Sequence, residues 1–399
     1  MKALVTECDE RPGAVYLARA RELGPELAAA AAEIERRREL PEAIVEALAQ
    51  RGLFRLLLPR SLDGAELPPA AYVPVIEEIA KHDASAAWCL GQACGCTMTA
   101  AYLAPAAARD IFGGLRGIVA WGPPGPAEAR VAPGGYRLTG TWSFASGSHH
   151  ANWLGAHVAV FAEDGLPRLR PDGSPVFRTL LFPKARAAMI DSWHVVGLRG
   201  TGSDTYSVTD LFVPEDYAVE RSAEARRREP GVLYAFSSSN VYSAGFAGVA
   251  LGIARGVLDA FVELARDKIP RGAKRTLRDN NVIQAQLAQS EALVGAARTF
   301  LLRSLDEIWD EAAGTGCLSL DHNTTIRLAS TWAIHQARDA VGTLYHAAGA
   351  TAIFEQNPFE RRFRDIHTVV QQYQGRQAHF ETVGQVLLGL APESTMFTF

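Results

Sequence analysis

Gly140-Thr141-Trp142-Ser143-Phe144-Ala145-Ser146-Gly147-Ser148 runs on into His149-His150-Ala151-Asn152-Trp153, and the reading of the chain turns on this stretch. Just upstream, Tyr136, Leu138, Gly140 and Trp142 alternate with Arg137, Thr139 and Thr141. Side chains of a strand point to opposite faces in turn, so this is the pattern of a half-buried strand. The strand breaks at Ser146-Gly147-Ser148, where a glycine permits close backbone approach and two hydroxyls flank it. Such an ending is either a capped turn or the polar edge of a ligand pocket.

Outward from there, Asn152–Ala162, Arg178–Phe182 and Thr205–Val213 read as further strands, separated by turn signals such as Pro133-Gly134-Gly135 and Asp172-Gly173. They predict a small antiparallel β domain. On either side the periodicity is helical. Glu22–Leu40 is rich in helix formers, Pro41 restarts a helix through Gln50, and Pro69–His82 repeats the pattern. Asp83-Ala84-Ser85 caps a helix that is apolar nearly all round from Ala86 to Leu103, and so must be buried. Beyond Leu233, the runs Val241–Lys268, Asn281–Glu311 and His322–Ala348 are long enough to pack as a bundle. The expected fold is mostly α with a middle β domain. It divides into an N-terminal helical domain (1–116), a β-sheet domain (117–228) and a C-terminal helical bundle (229–399).

The chain has 399 residues, too many for a single small core. Its net charge of −4 offers no basic field to draw nucleic acid or an anionic membrane. Arg36-Arg37-Arg38 sits among Glu33, Glu35 and Glu39 and reads as a solvated helix face. The start turns acidic at Glu7, Asp9 and Glu10, unlike a signal peptide. Val241–Leu258 is apolar but rich in Gly and Ala, as in a tightly packed core helix rather than a membrane span. Five cysteines, odd in number and loosely spaced, form no disulfide framework, and Cys89, Cys94 and Cys96 lack zinc-site spacing and read as small buried thiols in a helix, as suits a cytoplasmic protein with no metal site.

Two further segments share the character of the first. One is Gly197-Leu198-Arg199-Gly200-Thr201-Gly202-Ser203-Asp204-Thr205; the other is Phe359-Glu360-Arg361-Arg362-Phe363-Arg364-Asp365-Ile366-His367. Together the three resemble the acyl-CoA dehydrogenase superfamily, and in detail its two-component, group D flavin monooxygenases that hydroxylate phenols and indoles. The resemblance spans roughly residues 20 to 390. It implies reduced FAD or FMN, with FAD favoured, delivered by a separate NAD(P)H flavin reductase. It also implies O2 and a small-molecule substrate, and a homotetramer or dimer. A flavin C4a-hydroperoxide would carry oxygen to an aromatic ring or a heteroatom.

The same resemblance implies site residues. Phe144, Ala145 and Ser146 would lie along the isoalloxazine with Ser146 at its N5 edge, and Ser148 is a second candidate. Trp121 and Gly122 stand in the loop that crosses the pyrimidine side, where dehydrogenases carry an acidic Thr-Glu pair; Trp121 reads equally as a core aromatic. Lys274, Arg275, Asn281 and Gln284 stand where cross-subunit flavin contacts begin, or are plain solvated helix-start residues. The Gly197–Ser203 loop turns the chain between strands, with Arg199 free to meet a ligand.

Acyl-CoA dehydrogenation needs a carboxylate to take the α-proton. None occurs between Asp365 and Glu381, nor at Phe246–Leu251, where some relatives place it. The monooxygenases carry a histidine in the last helix; here that position is Gln372, which does not titrate. His367, on a shared helix face with Gln371, is a substitute, as are His149, His150 and His379. No dinucleotide fingerprint is present, so NAD(P)H is not expected to bind. The alternatives are an FAD-dependent acyl-CoA or carrier-bound dehydrogenase, an N-oxygenase of an amine or amino sugar, and a non-catalytic relative.

Overall fold

Hydrophobic periodicity in the first hundred residues becomes five helices in the computed structural model, which describes residues 12–221 and 227–392. They are α1 (Ala14–Arg37), α2 (Glu42–Gln50), α3 (Pro69–His82), α4 (Ala84–Thr97) and α5 (Pro105–Phe112). Cys8 and the acidic start lie outside the described residues. The Asp83 carboxylate accepts from the Ala86 amide at 2.8 Å and starts α4, all of whose residues are buried. Arg36 and Arg37 are exposed, but Arg38 is not part of a solvated face. It ends α1 at φ 59° and donates to Asp191 at 2.7 Å, tying the helix to the β domain.

Eight strands follow: β1 (Val119–Ala120), β2 (Ala127–Ala132), β3 (Gly135–Trp142), β4 (Trp153–Phe161), β5 (Phe177–Pro183), β6 (Ala188–Ile190), β7 (Thr205–Pro214) and β8 (Ala218–Val219). Their order is β6-β7-β3-β2-β4-β5-β8, with β1 also on β4. The sheet is not purely antiparallel as expected, because β1 and β2 both pair parallel to β4. The cause is the 143–152 segment. It is no hairpin; it crosses past β2, so β4 comes back in the direction of β2 rather than against it. Ser146-Gly147-Ser148 therefore lies on a crossover outside the ladder.

The bundle comprises α6 (Ser238–Asp267), α7 (Asn281–Thr315), α8 (Leu320–Ala348), α9 (Pro358–Val369) and α10 (Ala378–Leu387). Ser237 and Asn240 form a reciprocal cap at the start of α6. This helix is long and apolar enough to cross a membrane, yet 78% of its apolar window is buried inside the protein. It packs against α3 and α8. Gly245, Gly252 and Gly256 make the approach to α3 possible. A Cβ at Gly252 would lie 2.2 Å from the Glu77 carbonyl oxygen, and one at Gly256 2.8 Å from that of Lys81.

Helix α9 is joined to the β domain through Asp365 and through Arg364, which donates to the Val196 carbonyl at 2.6 Å. Buried Asp365 on α9 accepts the Leu198 amide at 2.6 Å, holding Leu198 at φ 50°. Arg364 beside it donates to Glu360 of α9 and, at 2.6 Å, to Glu35 of α1. Burial pushes the Asp365 carboxyl up to about 7, although the Leu198 amide works against that shift.

Three outcomes are expected. Gly252→Ala should lower stability by ~1–3 kcal/mol in urea unfolding, since a helix backbone cannot step aside. Gly295→Ala on α7, with open space around it, should stabilise slightly. The raised Asp365 pKa favours the protonated form in the folded state. Its stabilising contribution is complete below the usual value of 3.8 and is lost as pH rises through about 7. The melting temperature of the wild type should therefore fall relative to Asp365→Asn between pH 5 and pH 8.

Candidate active site

Three hydroxyls and two fixed ends define the centre of the site. The Trp88 indole Nε1–H on α4 donates to Ser146 Oγ at 3.0 Å. Ser146 Oγ lies 2.7 Å from Ser203 Oγ, which lies 2.7 Å from Thr201 Oγ1. Thr201 Oγ1 donates to the Leu198 carbonyl at 2.8 Å. An indole nitrogen only donates and a carbonyl only accepts, while each hydroxyl has one proton. The direction of every link follows. Thr201 spends its proton on Leu198, so Ser203 must donate to Thr201, and Ser146 to Ser203. Ser146 is left with a lone pair and no proton to offer. The carbonyl that ends the chain belongs to the residue whose amide Asp365 holds, so the three sequence segments meet here.

Backbone contacts lock the two loops together. Ala145 N–H donates to Asp204 O at 3.1 Å and Gly147 N–H to Thr201 O at 2.9 Å. Ser148 Oγ donates to Gly202 O at 3.3 Å and is fully buried, so it braces the loops rather than facing a ligand. Asp204 accepts the amides of Ser192 and Trp193, both at 2.8 Å, and contacts His149 at 2.6 Å. Burial alone would raise its pKa, but these partners outweigh burial and hold the carboxyl below its usual value. Asp204 thereby fixes Trp193, which meets Phe144 edge-on at 5.9 Å. Phe144 is 62% exposed with φ 61°, a rare conformation for a bulky residue. An exposed aromatic held in a strained backbone points to function.

Behind Ser146 stands an aromatic wall. Trp88 stacks on Phe246 of α6 at 3.8 Å, and Tyr242 stacks on the other side at 5.7 Å. Tyr242 Oη lies 3.3 Å from Gln92 and 3.5 Å from the Cys96 thiol, which burial pushes up to about 12. Cys89 and Cys94 are buried too, and their thiols are pushed higher still by burial.

Gln372 does not sit in a helix as expected. α9 stops at Val369, and Gln372 begins the tight turn Tyr373–Gly375. Its Oε1 accepts the Gln374 amide at 2.7 Å, while its buried Nε2 has no partner. Gln374 accepts from Arg327 of α8, which also donates to Ser239 of α6 at 2.9 Å, so this turn borders the start of α6. Gln371 is likewise outside the helix and shares no face with His367. His367 lies 4.4 Å from Phe363, and burial and Arg338 of α8 lower its pKa. Two positions along a helix turn through about 200°, so His367 faces away from Asp365 and the hydroxyl chain.

The other histidines are structural. His149 bridges Glu39 and Asp204. His150 is held at about 3, chiefly by burial, and its Nε2 has no partner. His379 contacts the Tyr373 carbonyl and is lowered to about 4 by burial.

Trp121 takes the core option: it is 5% exposed and packs on His157 at 4.9 Å. Gly122 is required by packing, since a Cβ there would lie 2.0 Å from Ser143 O. Lys274 and Arg275 are exposed in the loop before α7, where they line a hollow of about 320 Å³ with Thr276 and Asn280. Asn281 and Gln284 are exposed in the first turn of α7, whose cap is Asn280. Arg199 is half-buried 3.8 Å from Glu35.

Sequence reasoning missed Trp88, Thr201, Ser203, Trp193, Tyr242 and Phe246. Trp88, Gln92 and Cys96 recur every four residues on α4, and Tyr242 and Phe246 do so on α6. That spacing was a usable signal hidden in two helices apolar all round.

Comparison with known proteins agrees with this fold. The acyl-CoA dehydrogenase N-terminal domain matches residues 18–109 and the acyl-CoA dehydrogenase C-terminal domain matches residues 244–377. Indole-3-acetate monooxygenase of Pseudomonas putida is 28% identical over 366 residues, covering 90% of both chains. The oxygenase component of the FADH(2)-dependent resorcinol hydroxylase of Rhizobium sp. is 28% identical over 91% of both. The structure of XiaF from Streptomyces sp. in complex with FADH2 and glycerol superposes with a TM-score of 0.86 at 26% identity, over 95% of this chain and 96% of that one. The chain belongs to the acyl-CoA dehydrogenase family, and the relatives it resembles there are flavin-dependent monooxygenases.

Proposed function

We propose that this protein is the oxygenase component of a two-component system. It takes reduced FAD or FMN from a separate NAD(P)H flavin reductase and transfers one atom of O2 to a small aromatic substrate. The observation that carries this reading is the proton inventory at Ser146. Reduced isoalloxazine presents an N–H at its N5 edge, whereas the oxidised ring presents a lone pair there. A hydroxyl that can only accept suits the first and repels the second.

When bound, the reduced flavin supplies the two electrons with which O2 gives one atom to the substrate and the other to water. The protein's share is binding, orientation and dryness. Ser146 holds the N5 edge. Phe144 and Trp193 cover the ring plane, and Ala145 fixes the strand end through its amide. The wall of Trp88, Phe246 and Tyr242 excludes water and aligns an aromatic guest. The free Nε2–H of Gln372 donates to the substrate; an amide positions a polar group without moving a proton. Lys274, Arg275, Asn281 and Gln284 serve the flavin of a neighbouring subunit in a dimer or tetramer, within a cytoplasmic setting. A dehydrogenase reading finds no support at the site. The nearby carboxylates are already committed, Asp204 to His149 and the Ser192 and Trp193 amides and Asp365 to Leu198.

Two experiments bear on this. Supplied with reduced FAD or FMN under ¹⁸O2, the protein should place a single labelled atom in an aromatic product. Peroxide release alone with every aromatic tested, or bleaching of bound oxidised FAD by an acyl-CoA, would overturn the reading. Thr201→Val takes away the acceptor for Ser203, so Ser203 can turn back towards Ser146 and release the Ser146 proton. Anaerobic titration should show the preference for reduced over oxidised flavin falling about three- to tenfold, the worth of one hydrogen bond. Ser146→Ala should weaken reduced flavin alone.

A further inference from the structure

The aromatic wall ends in a cation with no acidic counterpart among the described residues. Arg221 lies at the end of the described β domain with its guanidinium 5.0 Å over the Trp121 ring. Its Nε–H donates to Thr179 Oγ1 at 3.1 Å, one Nη to Ser238 Oγ at 3.0 Å, and the other lies 3.3 Å from His157 Nδ1. All three partners are neutral, for burial, reinforced by the Arg221 charge, drives the His157 pKa far below its usual range. Three of the five guanidinium N–H groups are thus engaged, and no ion pair to Arg221 exists among the described residues.

Several of the other arginines are compensated by acids or by carbonyls. Arg298 pairs with Glu77 at 2.7 Å, and Arg364 with Glu35 and Glu360. Buried Arg55 donates to the carbonyls of Phe112, Gly114 and Leu62. The acid next to Arg221 in the chain, Glu220, is spent on Arg170 and Arg178. The N-terminal turn of α6, which supplies Ser238, holds no acidic residue, and the helix dipole adds positive potential there. Isolating a cation in such surroundings is costly unless an anion arrives.

The place of Arg221 matters as much as its charge. Ser238, to which Arg221 donates, lies one helical turn before Tyr242 on α6. Tyr242 stacks on Phe246, Phe246 on Trp88, and Trp88 donates to Ser146. A planar guest lying along this wall would have Ser146 at one end and the uncommitted guanidinium edge at the other. We infer that the substrate is an aromatic acid, and that Arg221 receives its carboxylate through the two uncommitted N–H groups. This rests on the monooxygenase reading for the position of the wall but not for the charge argument. The guanidinium fork suits a planar carboxylate, and such bonds are roughly twice as strong as neutral ones.

The test is equilibrium binding of matched pairs: indole-3-acetate against 3-methylindole, and 4-hydroxyphenylacetate against 4-methylphenol. Each is titrated into wild type, Arg221→Met and Arg221→Lys holding reduced flavin without oxygen. In the wild type the acid of at least one pair should bind about tenfold or more tightly than its neutral partner. Arg221→Met should abolish that difference while leaving the neutral compound's affinity in place, and Arg221→Lys should keep part of it. A wild type blind to the carboxylate in both pairs, or an Arg221→Met variant that retains the preference, would overturn the inference. Flavin titration of the same variants separates the two claims. If reduced flavin does not bind, the monooxygenase reading fails, and the acid preference is then read on the flavin-free protein.

Discussion

A hydroxyl group has a single proton, and the site is organised by that limit. Between an indole that must donate and a carbonyl that must accept, Ser146, Ser203 and Thr201 have one consistent arrangement. The outcome is set by groups remote from the reacting atoms: Trp88 from the N-terminal helices, Leu198 from the sheet, and Asp365 from the bundle. Each of the three layers contributes one fixed point, and none of them alone would orient Ser146.

The rest of the structure serves to bring those points together. The glycines of α6 let α3 come close, which sets α4 and its Trp88 against Phe246. The cap at Ser237 starts α6 so that Ser238, Tyr242 and Phe246 fall successively along the same wall. The clasp between Asp365 and Leu198 carries the position of α9, and with it the Gln372 turn, to the end of the hydroxyl chain. At the rim, Phe144 and Leu198 hold left-handed backbone conformations.

Much of this was legible in advance. Helix period, strand alternation and turn residues gave α3 at its observed limits and β3 within a residue, because local burial dictates both. The three motif segments meet at one place in the fold, and Ser146, expected at the flavin N5 edge, lies among the hydroxyls there. What failed was tertiary. The parallel pairing of β4 depends on a crossover that looks like a hairpin turn in one dimension. Trp121 could not be told from a ligand-facing aromatic because only its contact with His157 and Arg221 distinguishes them. Gln372 was extended into a helix because nothing before it signals a stop. Arg221 carried no mark at all, since a missing counterion is a property of space.

The crossover between β3 and β4 has a wider consequence. Strand register is settled chiefly by β2 against β3 and β2 against β4, with residues 143–152 touching the ladder at Asn152. Scaffold and reactive rim are thus independently editable. A lineage can rewrite the strap to greet a differently protonated cofactor and leave the hydrogen-bonded ladder beneath it untouched, so one architecture can host both electron removal and oxygen insertion.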